Sequence, residues 1–144
     1  MDVELRASEA LGGPPVDRDE ASAGFFDAAA HGQLAARRCV TDDRLFAPEV
    51  ARCPRCGAAT EWITVSGRGR LVTWAVVHRS PHPALADVVP YVTAVVELAE
   101  GPWLRTRLAV DAASSLAPGS PVAVAFARPS DGESVPYFVL EHAR

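Results

Sequence analysis

The chain of 144 residues is about half apolar and carries a formal net charge of −4, so it can bury one core and a small satellite. A net acidic balance is unlike that of a general nucleic-acid binder, which concentrates basic residues on one face. The first residues carry no secretory signal, and no apolar run reaches the roughly 20 residues of a membrane span. Three cysteines in such a chain predict a cytoplasmic protein whose thiols bind metal and do not pair.

The N-terminal part of the chain is expected to form a tail and a helix. Residues 1–16 end in two glycines and two prolines, which predicts a flexible tail or an arm laid on a partner. A helix is expected over residues 17–33, with Asp17 as its N-cap. Phe25 and Phe26 give this helix a wide apolar face. That face predicts either burial under the chain's own cysteine-containing module or contact with another subunit.

Residues 34–63 contain all three cysteines, in the pattern of a zinc ribbon. The sequence Cys53-Pro-Arg-Cys56-Gly57 is a knuckle that aims two thiolates at one point, and Cys39 supplies a third. Asp42 stands where a second knuckle would place its last cysteine, and Asp43 is an equally near substitute. A carboxylate can complete a tetrahedral site with three thiolates; alternatively, the ribbon keeps its shape by packing alone. The predicted zinc ligands are Cys39, Asp42, Cys53 and Cys56.

Residues 64–144 alternate apolar and polar side chains between turn signals, as in a small all-β unit. Five strands are predicted, at 71–78, 90–98, 103–110, 121–126 and 136–140. Gly67 and Gly69 fit a strand that bends sharply where it starts. One helical turn, capped by Asp111, is expected at 111–116. This order favours an OB-fold barrel over an immunoglobulin-like sandwich. The predicted fold is therefore mostly β: an N-terminal helix, a zinc-ribbon-like module and a five-stranded OB-fold barrel.

The order of these parts resembles a known family, the zinc-ribbon plus OB-fold proteins long catalogued as domain of unknown function 35. The likeness covers residues from about Ala21 to Leu140. The segments that carry it follow one another in the family's order: the helix with Phe25-Phe26, Arg38-Cys39, Cys53-Pro-x-Cys56-Gly57, Trp62, Ser66-Gly-x-Gly69, Val76-Val77-His78-Arg79, Pro90-Tyr91-Val92 and Val96-Glu97-Leu98-x-Glu100-Gly101. The sequence departs from the family at Asp42, where the family usually has cysteine.

The resemblance implies an accessory subunit of a thiolase-like acyl-CoA enzyme, either an aldolase or an acyltransferase. Family members partner the aldolases of steroid side-chain degradation, among other enzymes. The ribbon and barrel generally do not supply the catalytic nucleophile, so the CoA thioester is expected to be bound mainly by the partner. By the same analogy, two copies of each subunit would form a heterotetramer.

The long loop at residues 80–90 is expected to carry contacts, since stiff loops on barrels often do. Next to the predicted barrel strand, Arg79 and His82 are candidates to meet CoA phosphates or an acidic patch of the partner. Pro81, Pro83 and Leu85 offer rigid apolar contact. Together with Phe25 and Phe26, these three residues form the predicted partner interface.

No catalytic residue is predicted from the sequence. A nucleophilic cysteine needs a base and an orienting group, and neither His78 nor His82 shows such a pairing. Arginines crowd the cysteines and are expected to favour the thiolate form, which serves metal binding equally well: Arg37, Arg38, Arg52 and Arg55.

A binding module for single-stranded nucleic acid is the alternative function. Trp103, Arg105 and Arg107 alternate along one face of a predicted barrel strand, and OB folds present such aromatic and basic residues to single strands. Two arginines on a net acidic chain make a weak platform.

Overall fold

The computed structural model describes residues 11–141 and has the predicted β-rich class. The described part of the chain contains one α-helix, one short 3₁₀ helix at Pro83–Leu85 and eight strands. In chain order these elements are α1 (Ala23–Ala30), β1 (Leu34–Cys39), β2 (Leu45–Phe46), β3 (Thr60–Val65), β4 (Arg68–Val77), β5 (Tyr91–Leu98), β6 (Trp103–Leu108), β7 (Pro121–Ala127) and β8 (Val135–Leu140). Within residues 11–141, no helix has the length and apolar character needed to cross a membrane.

The strands form a three-stranded sheet and a closed five-stranded barrel, which confirms the predicted OB-like architecture. The small sheet has the order β2-β1-β3 and the barrel the order β4-β5-β6-β8-β7. In β5, alternate residues from Val92 to Leu98 are buried, because successive side chains of a strand point to opposite faces. Strands β6 and β8 run parallel and meet through the single pair Leu108 and Phe138.

The chain passes from the small sheet to the barrel through two residues, Ser66 and Gly67. The backbone N–H of Ser66 donates to Glu100 Oε2 at 2.7 Å, and the N–H of Val124 donates to the carbonyl of Gly67 at 2.8 Å. Gly67 has φ +78, and a Cβ at this position would overlap the side chain of Val124. Glycine is therefore required here both by the backbone angle and by the space available.

Replacing Gly69 by alanine should destabilise the barrel by about 1–3 kcal/mol, the usual cost of overpacking. Gly69 pairs with β5 and with β7, and an added Cβ would overlap the carbonyl oxygen of Glu97. Because the obstacle is backbone, no side-chain rotation relieves it. Urea unfolding should show a lower midpoint for Gly69→Ala, whereas Ala75→Ser, at an exposed position of the same strand, should stay within about 0.5 kcal/mol of wild type. Equal midpoints would contradict this packing argument.

The helix starts later than its expected range of 17–33. Ser22 is the residue before its first turn and makes no side-chain capping bond, so the prediction of Asp17 as the N-cap is wrong. Asp19 instead accepts hydrogen bonds from the N–H and the hydroxyl of Ser22 through Oδ1, at 2.8 and 2.6 Å. Asp and Ser side chains compete in this way for backbone groups that a helix would otherwise use.

The helical turn predicted at 111–116 is also wrong, because no helix forms there. Asp111 Oδ1 accepts from the N–H of Ala113 at 2.8 Å, and the N–H of Ser114 donates to the Asp111 carbonyl at 2.9 Å. The residue thus makes an isolated turn. A helix this short does not repay its nucleation cost.

Residues 11–16, here called the arm, lie on the barrel. Leu11 packs against Ala125, Ala127 and Tyr137, and the Val16 carbonyl accepts from the N–H of Glu133 at 2.8 Å. These contacts differ from the flexible tail expected at residues 1–16. The first ten residues of that predicted tail lie outside the described part of the chain.

Candidate functional site

The four predicted metal ligands converge at one end of the small sheet. Their ligand atoms, three Sγ and one carboxylate oxygen, all lie within 4.8 Å of one another. The Sγ atoms of Cys39 and Cys56 are 3.5 Å apart, and Cys53 Sγ is 3.9 Å from Asp42 Oδ2. Zinc–sulfur bonds of about 2.3 Å in a tetrahedron imply about 3.8 Å between ligand atoms. The donor set and its spacing therefore fit a zinc ion.

Two tight turns position these side chains. In the knuckle, the N–H of Gly57 donates to the Cys53 carbonyl at 2.8 Å, and Gly57 has φ +72. After β1, the N–H of Asp43 donates to the Cys39 carbonyl at 3.2 Å, and Asp43 adopts φ +62. This turn brings Asp42 into the cluster, whereas Asp43, the other candidate from the sequence, is not among its members.

Thr41 contacts two thiols of the cluster, a role that was not predicted from the sequence. Its Oγ1 lies 3.2 Å from the Sγ of Cys39 and 3.2 Å from the Sγ of Cys56. A hydroxyl inside the Cys-x-x-Asp turn is the signal that would have found it, because hydroxyls donate to thiolates. The hydrogen bond from Thr41, followed by one from the backbone of Ala58, lowers the pKa of Cys56 to about 7.

The pKa values of two thiols in the cluster are shifted in opposite directions, up for Cys53 and down for Cys56. Cys39 and Cys53 are buried, whereas Cys56 and Asp42 are exposed. Burial raises the pKa of Cys53, and the hydrogen bond from the backbone of Arg44 is the main cause of the lowered pKa of Asp42. A bound cation would oppose the first effect, since thiolates are the ligand form.

The arginines of the first strand do not act on the thiols as expected. Arg38 pairs with Glu61, and the guanidinium of Arg37 lies 3.6 Å above the ring of Trp62. The lowered pKa of Cys56 comes chiefly from Thr41 and not from these arginines. The prediction was wrong for these two residues because each guanidinium has another partner, Trp62 for Arg37 and Glu61 for Arg38.

Phe25 and Phe26 lie at the junction between helix, ribbon and barrel. Their rings meet edge to face at 5.3 Å, and the Phe25 ring lies 6.2 Å from Trp62. Phe25 also packs on the barrel core, and both rings are half-buried. A groove of about 430 Å³ opens beside them, lined in part by Pro48 and Leu104. The chain's own ribbon therefore covers part of the Phe25 ring, through Trp62.

The 80–90 loop presents most of its predicted contact residues to solvent. Arg79, Pro81, His82 and Pro83 are exposed, and Leu85 is half-buried. His82 Nδ1 accepts a hydrogen bond from the N–H of Ala84 at 3.0 Å, so this nitrogen is engaged in starting the 3₁₀ helix. No residue of the loop lines the described groove beside Phe25 and Phe26.

The arm rests on this loop. The N–H of Gly13 donates to the Ala84 carbonyl at 3.2 Å, and a Cβ on Gly13 would lie 3.4 Å from Leu85 Cδ2. Part of the surface predicted for a partner is thus covered by the chain itself.

The basic and aromatic residues of β6 differ in exposure: Trp103 and Arg105 are exposed, whereas Arg107 is half-buried. Trp103 is 57% exposed, and its indole N–H donates to Glu97 Oε2 at 3.2 Å. Arg105 is exposed. Arg107 turns instead onto the ring of Tyr91, with its Cζ 3.9 Å from the ring centroid.

A three-stranded sheet with a Cys₃Asp cluster, joined to an OB-like barrel, defines the class of protein as a zinc-ribbon-like module fused to an OB fold. Residues 62–127 match the family described as "ChsH2, C-terminal OB-fold domain". One solved structure, called "Ltp2-ChsH2(DUF35) aldolase", is 34% identical, with a TM-score of 0.71 over 89% of this chain and 98% of that chain. The chain belongs to the DUF35 family.

Other relatives are consistent with this assignment. A DUF35-family protein of unknown function from Sulfolobus solfataricus shares the fold, with a TM-score of 0.60 at 14% identity, over 97% of this chain and 95% of that one. The chain is 35% identical over 127 residues, 87% of its length, to a "Probable enoyl-CoA hydratase alpha subunit" of Thermomonospora curvata. It is 38% identical over 66 residues, 44% of its length, to a "DUF35 domain-containing scaffold protein" of Methanocaldococcus jannaschii. The chain spans 38% and 46% of the lengths of these two proteins.

Proposed function

We propose that the chain is a non-catalytic accessory subunit of a thiolase-like enzyme that acts on acyl-CoA esters, as an aldolase or an acyltransferase. The observation that carries the proposal is the 34% identity to almost the whole of a chain named as part of an Ltp2-ChsH2 aldolase. The names of three further relatives, all "DUF35 domain-containing scaffold protein", support a role in assembly.

The described cysteines and two of the histidines make contacts of a structural kind. The three cysteines face one another and Asp42, an arrangement suited to a metal. His31 and His82 each use Nδ1 in a hydrogen bond with the backbone, to the carbonyl of Asp27 at 2.8 Å and from the N–H of Ala84 at 3.0 Å.

The proposed substrate of the complex is a CoA thioester of the steroid side-chain type, bound mainly by the partner. Arg79 and His82 would bind the CoA phosphates or an acidic patch of the partner, since both side chains are exposed, Arg79 just before the 80–90 loop and His82 within it. Phe25, Phe26, Pro81, Pro83 and Leu85 would supply apolar contact. A heterotetramer of two chains and two partners is the proposed assembly.

Zinc has a structural role in this proposal. Cys39, Cys53, Cys56 and Asp42 would hold it, and a structural zinc supplies folding free energy by linking the segments that bind it. Here those segments are the turn after β1 and the knuckle. A hydrogen bond from the N–H of Val40 to the carbonyl of Ala59, two residues after the knuckle, also joins them at 3.3 Å.

Reversing the charge of Arg79 should weaken the complex. We expect Arg79→Glu to raise the Kd for the co-expressed thiolase-like partner about tenfold, roughly 1.4 kcal/mol, or to raise the KM for acyl-CoA at unchanged kcat. Co-purification, calorimetry and steady-state kinetics measure these effects. Arg105→Glu, an equal charge reversal at an exposed site of β6, is the control and should leave both quantities unchanged.

Two results would contradict the proposal. An unchanged complex and unchanged kinetics for Arg79→Glu would remove the loop from the interface. Turnover of an acyl-CoA ester by the purified chain without a partner would overturn the non-catalytic role itself.

Exposed Trp103 beside Arg105 favours the alternative of single-strand nucleic-acid binding. That function predicts salt-dependent retention of single strands in a filter assay, and Trp103→Ala should weaken the retention because base stacking is worth about 1–3 kcal/mol per base.

A further inference from the structure

A cavity of about 420 Å³ lies between the arm and the barrel. None of the four residues of the cysteine cluster lines it. Its volume falls in the range of small-molecule sites, roughly 300–1,000 Å³. Its wall includes apolar groups of the arm and of β7 and β8, and one cation, Arg107. The lining residues that matter are Leu11, Arg107, Ala127, Asp131, Glu133 and Pro136.

Arg107 is a half-buried cation without a counterion in the described chain. Its Nη1 donates to the Leu11 carbonyl at 2.9 Å, and its guanidinium stacks on Tyr91. No carboxylate among residues 11–141 forms an ion pair with it. Burial lowers the pKa of Arg107, which is the direction expected for a charge that has lost water and gained no partner. A guanidinium has five N–H donors, so most of them remain available.

The nearby acidic residues do not fill this role. Glu133 is held by Arg18, whose Nε and Nη2 both donate to its carboxylate at 3.0 Å. Arg18 also pairs with Asp27 at 2.6 Å. Asp131 is exposed and is therefore well solvated. The charge of Glu133 is thus matched inside the fold, whereas that of Arg107 is not.

We propose that this cavity binds a small organic carboxylate, with the carboxylate on the free donors of Arg107 and a short apolar chain against Leu11, Ala127 and Pro136. Arginine is the side chain that best matches a planar carboxylate, through two parallel hydrogen bonds. The apolar walls select an anion with a hydrocarbon part over a fully hydrated one. The cavity touches the 80–90 loop through the arm, but none of the residues proposed to contact the partner lines it. Because the test uses the chain without a partner, its outcome does not depend on the accessory role.

The test uses the full chain, labelled with ¹⁵N, and hexanoate as the probe. We expect saturable amide shifts within residues 11–16 and 127–136 on titration with hexanoate. Hexanamide, the neutral analogue, should bind about tenfold more weakly or not at all, because it lacks the charge. Absence of saturable shifts with hexanoate, or equal binding of hexanamide, would overturn the proposal.

Two matched variants assign the effect to Arg107. Arg107→Gln should weaken hexanoate binding at least tenfold, whereas Arg105→Gln, two residues away on the same face of β6 and exposed, should not change it. If the spectrum shows that Arg107→Gln releases the arm, Arg107→Lys replaces it. That variant keeps the charge but not the two-pronged geometry, and it should bind more weakly than wild type. Undiminished binding in a folded Arg107 variant would also overturn the proposal.

Discussion

Replacing Cys53 by serine should abolish stoichiometric zinc binding and disorder the ribbon while the barrel stays folded. Cys53 is buried and lies 3.9 Å from Asp42 across the cluster, so it connects the knuckle to the turn after β1. Loss of an outer-shell partner alone costs about 10–100-fold in metal affinity, and loss of a ligand should cost more. Elemental analysis measures the metal content, and amide spectra show which residues lose order.

The two neighbouring aspartates provide a matched control for this experiment. Asp42→Asn should lower zinc affinity, whereas Asp43→Asn should not, because only Asp42 lies in the cluster. Asparagine suits the positive φ of Asp43, so that variant keeps the turn. Asp42→Cys should raise the affinity by supplying a fourth thiolate. Wild-type protein without zinc, and a Cys53→Ser variant with an unchanged ribbon, would show that packing alone holds the module.

Replacing Trp62 by alanine should reduce the free energy of unfolding by about 3 kcal/mol, the low end for loss of a large aromatic side chain. Trp62 packs on Phe25, carries the guanidinium of Arg37 on its face, and lies where Gly24 leaves room. One substitution therefore removes the contacts that Trp62 makes with the helix and with the first strand of the ribbon. Urea unfolding followed by circular dichroism measures the effect.

Trp103→Ala is the control for Trp62→Ala, since Trp103 is the same residue type at 57% exposure. It should change the unfolding free energy by no more than about 0.5 kcal/mol. Similar losses in the two variants would show that the junction around Trp62 contributes no more than a surface contact.

The barrel could be predicted because its signals are local. In β5 the alternation of apolar residues gives four buried side chains, from Val92 to Leu98, on one face, and turn residues bound the strands. The knuckle is equally local, since Cys53 and Cys56 are three residues apart and Gly57 closes the turn. The choice between Asp42 and Asp43 was not accessible, because it depends on which residue takes the positive φ.

What the sequence could not predict depends on contacts distant along the chain. The arm is ordered by residues more than 70 positions away, such as Ala84 and Glu133. From the sequence, Arg107 belongs with Trp103 and Arg105 on one face of a predicted strand, yet its side chain donates a hydrogen bond to the carbonyl of Leu11, 96 residues earlier. The predicted start of the helix was wrong for the opposite reason, since a local contact decides it. The hydrogen bond from Ser22 to Asp19 competes with a helical turn.

The two-residue link at Ser66 and Gly67 has a consequence for how the molecule transmits force. Hydrogen bonds to Glu100 and Val124 hold this link, and Leu34, Ala36 and Val65 of the small sheet pack in one cluster with the barrel core. We therefore expect the ribbon and the barrel to keep one relative orientation. A partner that binds the ribbon would then also fix the orientation of the barrel loops. We expect the rotational diffusion of the two parts in solution to be that of one body, which NMR relaxation measures.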